Sequence, residues 1–470
     1  MNEINVSIRP YSGLFEKKRR IVIPEYQRPY VWGKEKTEEL LNDFEDYFLN
    51  LNSIRPYYLG TILYYYNKNE NHYEVIDGQQ RITTLLIIQK LLSESHLPEY
   101  QDVVYNSHQS IKYIQEAKAY FKQNIEVLKK LEKNNFFEKL NFTLIITYTE
   151  DDAFTFFDTQ NNRGIKLGAT DFLKAYHLRA ISSEFLQEQC ARKWEKSSCK
   201  IDEGSLLSHL FAKILWRGRN WKGQNEINFE NKDSILKTFQ KSTLKTTIPD
   251  FYPLYPNFFN MKCVSHQFQS MGKLIEVQKE LTNRKEADYP FSLRQPLYKG
   301  LNFFRYSDRY IAIYNLLFLL KNDSSIELIE LRKFYDTVYN VDMSIYLRHF
   351  MQLCLIAYFD VFGDNQILKA AYSFDYLIGS IRLSKFQIKK EAITICLKES
   401  PNNVLDIISN SYLPEEIIGF ICSNISIDDI YLAEKIKRND GVRGRYKTRV
   451  LKYFNKSEKS LANRKIWGKL

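Results

Sequence analysis

Apolar and polar positions change period several times within the first two-fifths of the chain. Residues 21–23 are β-branched, and Pro24 and Pro29 then bracket a stiff turn that carries Gln27 and Arg28 between Tyr26 and Tyr30. Residues 34–49 set Leu40, Leu41, Phe44, Tyr47 and Phe48 on one side, the spacing of an amphipathic helix. Residues 57–66, and the stretch ending in Glu74-Val75-Ile76, are β-branched and aromatic and read as strands. Asp77-Gly78 breaks the second as a turn would, and past Arg81 the period becomes helical, with Ile82, Leu85, Leu86 and Leu92 on one face.

Further on, residues 110–140 read as helical and 142–148 as a strand. Residues 153–176 read as a helix, a loop at 161–168, and a second helix capped by Thr170 or Asp171. From about residue 190 to 430 the pattern is mostly helical, clearest at 311–320, 326–338, 345–359, 374–383 and 405–408. Met351 and Cys354 fall on these helices as core residues, and His177 and His349 as structural ones. W-R-G-R-N-W, residues 216–221, is either an exposed basic and aromatic loop or a loop anchored by its two indoles.

Composition narrows the class. A chain of 470 residues holds two or three domains, and 33 Tyr and 31 Phe against 17 Gly and 12 Pro argue for packed structure throughout. The six cysteines are scattered without a C-x-x-C pair, as in a protein with reduced thiols. The start is polar, and the longest apolar candidate, 311–320, is broken by Lys321-Asn322-Asp323. The expectation is a soluble, cytoplasmic protein with no membrane partner.

The net charge of +11 is uneven: residues 434–470 hold thirteen Lys or Arg against three Asp or Glu. With Tyr446, Tyr453, Phe454 and Trp467 interleaved, this segment suits a phosphate backbone, and Arg443, Arg445, Lys447, Arg449 and Lys452 are the candidate DNA contacts. A solvated helical face, or a basic patch for an acidic protein, has the same composition.

Three polar stretches carry candidate chemistry. Asp77-Gly78-Gln79-Gln80-Arg81 sits where a strand hands over to a helix, and the first N–H groups of a helix lack partners and favour an anion. Gly78 lets the backbone come close, Arg81 can fork onto a phosphate, and Asp77 can hold a metal or orient water. An ordinary D-G turn, with Arg81 paired to Asp77, reads equally well. Gln27 and Arg28 stand on a rigid turn fit for a base edge or a phosphate, or belong to an aromatic loop packed on its own domain. Gln160, Asn161, Asn162, Arg163 and Gly164 could bond a base, ribose or phosphate, or form a helix terminus with Gly as its cap. No G-x-x-x-x-G-K-[ST] occurs, which sets aside an ordinary P-loop.

In order, I-P-E-Y-Q-R-P-Y-V-W, Y-L-G-T-I, V-I-D-G-Q-Q-R-I-T-T-L and F-D-T-Q-N-N-R-G-I-K-L-G-A-T-D-F-L-K strongly resemble the N-terminal, ParB-like domain of the GmrSD and SspE type of phage-restriction proteins. The likeness covers roughly residues 21–180, with a weaker echo in Q-P-L-Y-K-G-L-N-F-F at 295–304. It implies an α/β ParB/sulfiredoxin-like domain, placed at 1–190, and the pattern and charge read above set a mostly α-helical region at 191–433 and a basic segment at 434–470. It also implies a bound nucleoside triphosphate with Mg²⁺ as counter-ion. Asp77, Gln79, Gln80 and Arg81 would be catalytic, with Asp77 the candidate metal ligand. Gln27, Arg28, Gly78, Asn161, Arg163, Gly164 and Asp171 would hold the nucleotide.

Fused relatives continue into an HNH-like nuclease with an H-x-x-P motif, and none of the seven histidines here has Pro three residues on. The expectation is therefore a split system, in which this chain is the sensor and NTPase, reads possibly modified phage DNA, and works with a separate nuclease subunit. A homo-oligomer is compatible with this. The alternatives are a nuclease acting through the D-G-Q-Q-R site, which a lone Asp supports weakly, or an inert DNA-binding scaffold that recruits a nuclease.

Overall fold

Five strands, β1 (Asn5–Pro10), β2 (Ile21–Val22), β3 (Tyr57–Asn67), β4 (His72–Asp77) and β5 (Leu140–Thr147), form one mixed sheet in the order β1-β5-β3-β4-β2. β1 runs antiparallel to β5 and β4 antiparallel to β3, while β3–β5 and β2–β4 are parallel. The computed structural model describes residues 4–24, 27–51, 55–93, 101, 103–105, 107–149, 152–153, 168–201, 204–224, 227–244, 264–269, 273–278, 291–320, 325–341, 343–432 and 441–469. The chain divides into two units, residues 1–192 and 193–470.

Alternation on β5 sends Leu140, Phe142, Leu144 and Ile146 to one face, where Ile62 and Tyr64 of β3 and Tyr73 and Val75 of β4 join them. Helices cover that face. α1 (Lys34–Glu45) buries Thr37, Leu40, Leu41 and Phe44, the i, i+3, i+4, i+7 stripe read from the sequence. α2 (Gln79–Leu92) is buried nearly all round, and its Thr83 and Thr84 hydroxyls are satisfied by bonding back to the carbonyls of Gln79 and Gln80. α3 (His108–Gln123), α4 (Ile125–Lys133) and α5 (Phe136–Lys139) resolve the 110–140 stretch and add Phe121, Leu128, Leu131 and Phe136 to the core. α6 (Ala169–Leu178) completes the elements that bear on the site. Its start corrects the expected cap: Gly168 is the cap residue, and Asp171 reaches back to accept its backbone N–H at 2.8 Å.

The second unit is mostly helical and is organised on two buried carboxylates. Asp360 accepts from the Arg309 guanidinium at 3.1 Å, the Tyr310 hydroxyl at 2.9 Å and the Leu293 N–H at 2.7 Å. Asp375 accepts from Tyr339 at 2.7 Å, Tyr446 at 3.0 Å and Arg464 at 2.5 Å. The helix Ile345–Phe362, with Met351 and Cys354 fully buried, is long and apolar enough by length and composition to cross a membrane. However, 78% of it lies inside the unit, as a core helix does. Asp360 near its end is paired with Arg309 inside the fold.

Of the two readings of residues 216–221 the anchored one holds: Trp216 and Trp221 are buried, and Arg217 lies over the Trp221 ring at 4.8 Å while bonding Glu230 with two nitrogens. The segment 441–469 is packed rather than free, since Tyr446, Val450, Leu451, Leu461 and Trp467 are core residues.

Candidate functional site

Local chemistry fixes the β4–α2 junction. Gly78 has φ +93°, in the left-handed region, and a Cβ there would lie 2.9 Å from Cγ1 of Ile62. Only glycine lets the strand turn this closely over β3. The helix that follows begins with no side-chain cap and no acid in its first turn, although Gly78, Gln79 and Gln80 are buried. A buried, uncapped helix start leaves N–H groups and a positive dipole end for another group to satisfy.

The motif side chains then differ sharply in what they touch. Asp77 is 30% exposed, and its Oδ2 lies 3.5 Å from Nη2 of Arg81. Arg81 also donates from Nη1 to the carbonyl of Leu59 at 3.1 Å. Burial pulls its guanidinium below the usual range, while Asp77 and Tyr58 oppose the shift. The Asp77–Arg81 pair, one of the two readings of this turn, therefore exists.

Gln80 is fully engaged with the 27–33 loop. Its Oε1 accepts the Val31 N–H at 2.9 Å and its Nε2 donates to the Pro29 carbonyl at 3.1 Å. Tyr30 between them is buried, its N–H donating to Ser110 Oγ and its hydroxyl paired with Thr84, each at 2.9 Å. Burial pushes the Tyr30 phenol up to about 12, so it stays a neutral hydrogen-bonding group. Gln79, one residue earlier and 5% exposed, differs: among the described residues its buried Oε1 has no partner.

Of the loop residues singled out in the sequence, Gln27 makes a bond at this junction. The Gln27 amide donates to the carbonyl of Ile76 at 2.9 Å, one residue before Asp77. Arg28, next in the chain, is half-buried. Sequence reasoning missed Lys174 of α6, which is 5% exposed and places Nζ 3.4 Å from the Gln27 carbonyl. The available signal was a lysine one helical turn after Asp171, in the quoted A-T-D-F-L-K. Asp171 is exposed and spends one oxygen on capping α6. Asn161, Arg163 and Gly164 lie outside the described residues, as do Gln160 and Asn162.

Among the described residues, no three His, Cys, Asp or Glu side chains converge as metal ligands. Asp77 is the carboxylate at the junction, so a divalent cation there would rest on it together with phosphate and water oxygens, which suits Mg²⁺.

The basic segment is built differently. Arg443 stacks on Phe386 at 3.6 Å, Lys447 is 5% exposed, and Arg449 is half-buried with Nη1 3.4 Å from the Thr337 carbonyl. Arg445 and Lys452 are the ones exposed to solvent.

Residues 11–178 match the GmrSD restriction endonuclease N-terminal domain. Residues 186–438 match a family of unknown function, DUF7834. A search of the curated proteins gave no match.

Proposed function

Because this chain belongs to the GmrSD-type phage-restriction family through residues 11–178, and to DUF7834 through residues 186–438, we propose that it is the nucleotide-binding and nucleotide-hydrolysing sensor of an anti-phage DNA restriction system. The observation that carries the reading is the buried, uncapped start of α2 at Gly78, with Gln79 and Arg81 in its first turn, Gln27 bonded to the strand before it, and Lys174 against the Gln27 carbonyl. A triphosphate supplies the negative charge that such a helix end and two cations favour. Asp77 would hold Mg²⁺ through water, and the ion would neutralise charge on the phosphates. The N-terminal unit is read as a ParB/sulfiredoxin-like domain on the same grounds.

In this reading Arg81 and Lys174 bind phosphate, Gly78 admits it against the backbone, and Gln27 and Arg28 shape the rim. Phage DNA and nucleotide bias one conformational equilibrium, so each changes the affinity for the other. Arg445 and Lys452 are the contacts to DNA, and a separate nuclease subunit does the cutting.

The test is phosphate release from ATP, GTP, CTP and UTP with Mg²⁺, with and without phage DNA, by wild type, Asp77→Ala and Arg81→Ala. Turnover that both substitutions abolish, and that DNA stimulates, supports the reading. Nucleotide binding without turnover in every condition would leave a scaffold, and DNA cleavage lost with Asp77→Ala would make the site a nuclease.

A further inference from the structure

We infer that the two adjacent glutamines divide the work of the site: Gln79 is a catalytic residue that holds the attacking water, and Gln80 is a positioning residue that fixes the 27–33 loop. This rests on the nucleotide-hydrolysing reading above.

The two side chains are one residue apart, are equally buried and have the same chemistry, yet they are used in opposite ways. The Gln80 amide is committed at both ends, to the Val31 N–H and the Pro29 carbonyl. A ligand bound there would have to share those atoms with Val31 and Pro29. Among the described residues, the buried Gln79 Oε1 has no partner. Buried acceptors in folded proteins are mostly paired, and this one, at the uncapped start of α2, is the acceptor we assign to a ligand.

The kind of ligand follows from the donor count. The helix end and Arg81 draw phosphate, but an ionised phosphate offers only acceptors and cannot satisfy a carbonyl oxygen. A water can. Bound to Gln79 Oε1, it is held beside the phosphate while the Gln79 NH₂ donates to a phosphoryl oxygen. Either orientation of the amide supplies one acceptor and a pair of donors. A glutamine that orients water in this way is a known device in nucleotide hydrolysis.

The step balances without any further reagent. The water oxygen forms a bond to the terminal phosphorus as the bond from that phosphorus to the bridging oxygen breaks. The bridging oxygen keeps the electron pair and leaves on the diphosphate. One water proton stays on the phosphate product and the other passes to solvent.

The experiment compares full-length wild type, Gln79→Ala, Gln79→Glu and Gln80→Ala. Steady-state phosphate release is measured for each, with calorimetric binding of a non-hydrolysable triphosphate and circular dichroism to confirm folding. Gln79→Ala should bind the analogue within about twofold of wild type and keep KM, while kcat falls roughly a hundredfold. Gln79→Glu, which keeps the shape but loses the donors, should also lose turnover. Gln80→Ala should show the opposite split, with KM raised roughly tenfold and kcat much less affected.

Wild-type turnover by Gln79→Ala, or loss of analogue binding with it, overturns the role of Gln79 and leaves the nucleotide reading standing. A fall in kcat at constant KM for Gln80→Ala overturns the division. A wild type that neither binds nor hydrolyses any of the four triphosphates overturns the reading, and this inference with it.

Discussion

The Arg81 guanidinium occupies the space that a side chain at Gly60 would need: a Cβ built there lies 2.1 Å from its Nη1. Gly60 also has φ +106°, so the position is closed to other residues by space and by backbone alike. The same Nη1 donates to the carbonyl of Leu59, the residue before it. The words Y-L-G-T-I and D-G-Q-Q-R, separate in the sequence, are thus two halves of one arginine seat.

Gly60→Ala should therefore behave like a change at Arg81. The added methyl must push the guanidinium off Leu59 and Asp77, so phosphate binding and turnover should fall as far as in Arg81→Ala. The strained backbone should in addition cost on the order of 1–3 kcal/mol of stability. Urea unfolding together with nucleotide calorimetry checks both. Normal affinity in Gly60→Ala would mean that Arg81 is free to bind phosphate from another position.

The glutamine pair gives a prediction that needs no ligand. Gln80→Met leaves the Val31 N–H and the Pro29 carbonyl without partners and should destabilise the N-terminal unit by roughly 2 kcal/mol. Gln79→Met replaces an unpaired buried amide by an apolar chain of similar size and should leave stability unchanged or raise it by up to about 1 kcal/mol. Chemical unfolding of the two variants side by side reads the difference. A Gln79→Met protein as unstable as Gln80→Met would show that Gln79 has a structural partner in solution.

How far the sequence led depends on how local the signal was. The strand–turn–helix at Gly78, the α1 stripe and the burial of Met351 and Cys354 rest on periods of a few residues, and these could be read directly. β1 could not. Its Val6 and Ile8 are 59% and 69% exposed, and it is a strand because β5, far along the chain, supplies its hydrogen bonds. The difference between Gln79 and Gln80 was invisible for the same reason, since it is set by the carbonyl and N–H of a loop fifty residues upstream. Lys174 looked like any lysine on a helix until α6 was placed beside Gln27. In the basic segment, composition misled: Tyr446 and Trp467, which suit base stacking, are held in the core because Asp375 draws Tyr446 and Arg464 inward.

Arg464 and Asp375 are both buried, so their pair should be strongly asymmetric to mutation. Among the described residues, Arg464→Met leaves the Asp375 carboxylate with the Tyr339 and Tyr446 hydroxyls, and it should cost about 3–5 kcal/mol. The double variant Arg464→Met, Asp375→Asn should recover a large part of that loss, because no unpaired charge remains buried. Equilibrium unfolding of the full chain gives the cycle. An Arg464→Met midpoint equal to wild type would mean that residues 458–469 are not docked in solution.

His349 gives the second unit a defined acid sensitivity. Its ring lies against His209 with centroids 4.7 Å apart. Burial, then the positive charges of Arg217, Lys213 and Arg348, press its pKa from 6.5 down to about 3, with Glu230 opposing them. A folded-state value below the unfolded one means that the unfolded chain takes up the proton first as pH falls. The contribution of a neutral His349 is therefore complete above about pH 6.5 and is lost between there and about pH 3. Over that window, wild type should lose up to about 1.4 kcal/mol per pH unit more than His349→Gln, which has no proton to gain. Urea unfolding at pH 7, 6 and 5 measures both slopes. Coinciding slopes would show that the ring protonates in the folded protein as readily as in the unfolded chain, and that the nearby cations do not hold it neutral.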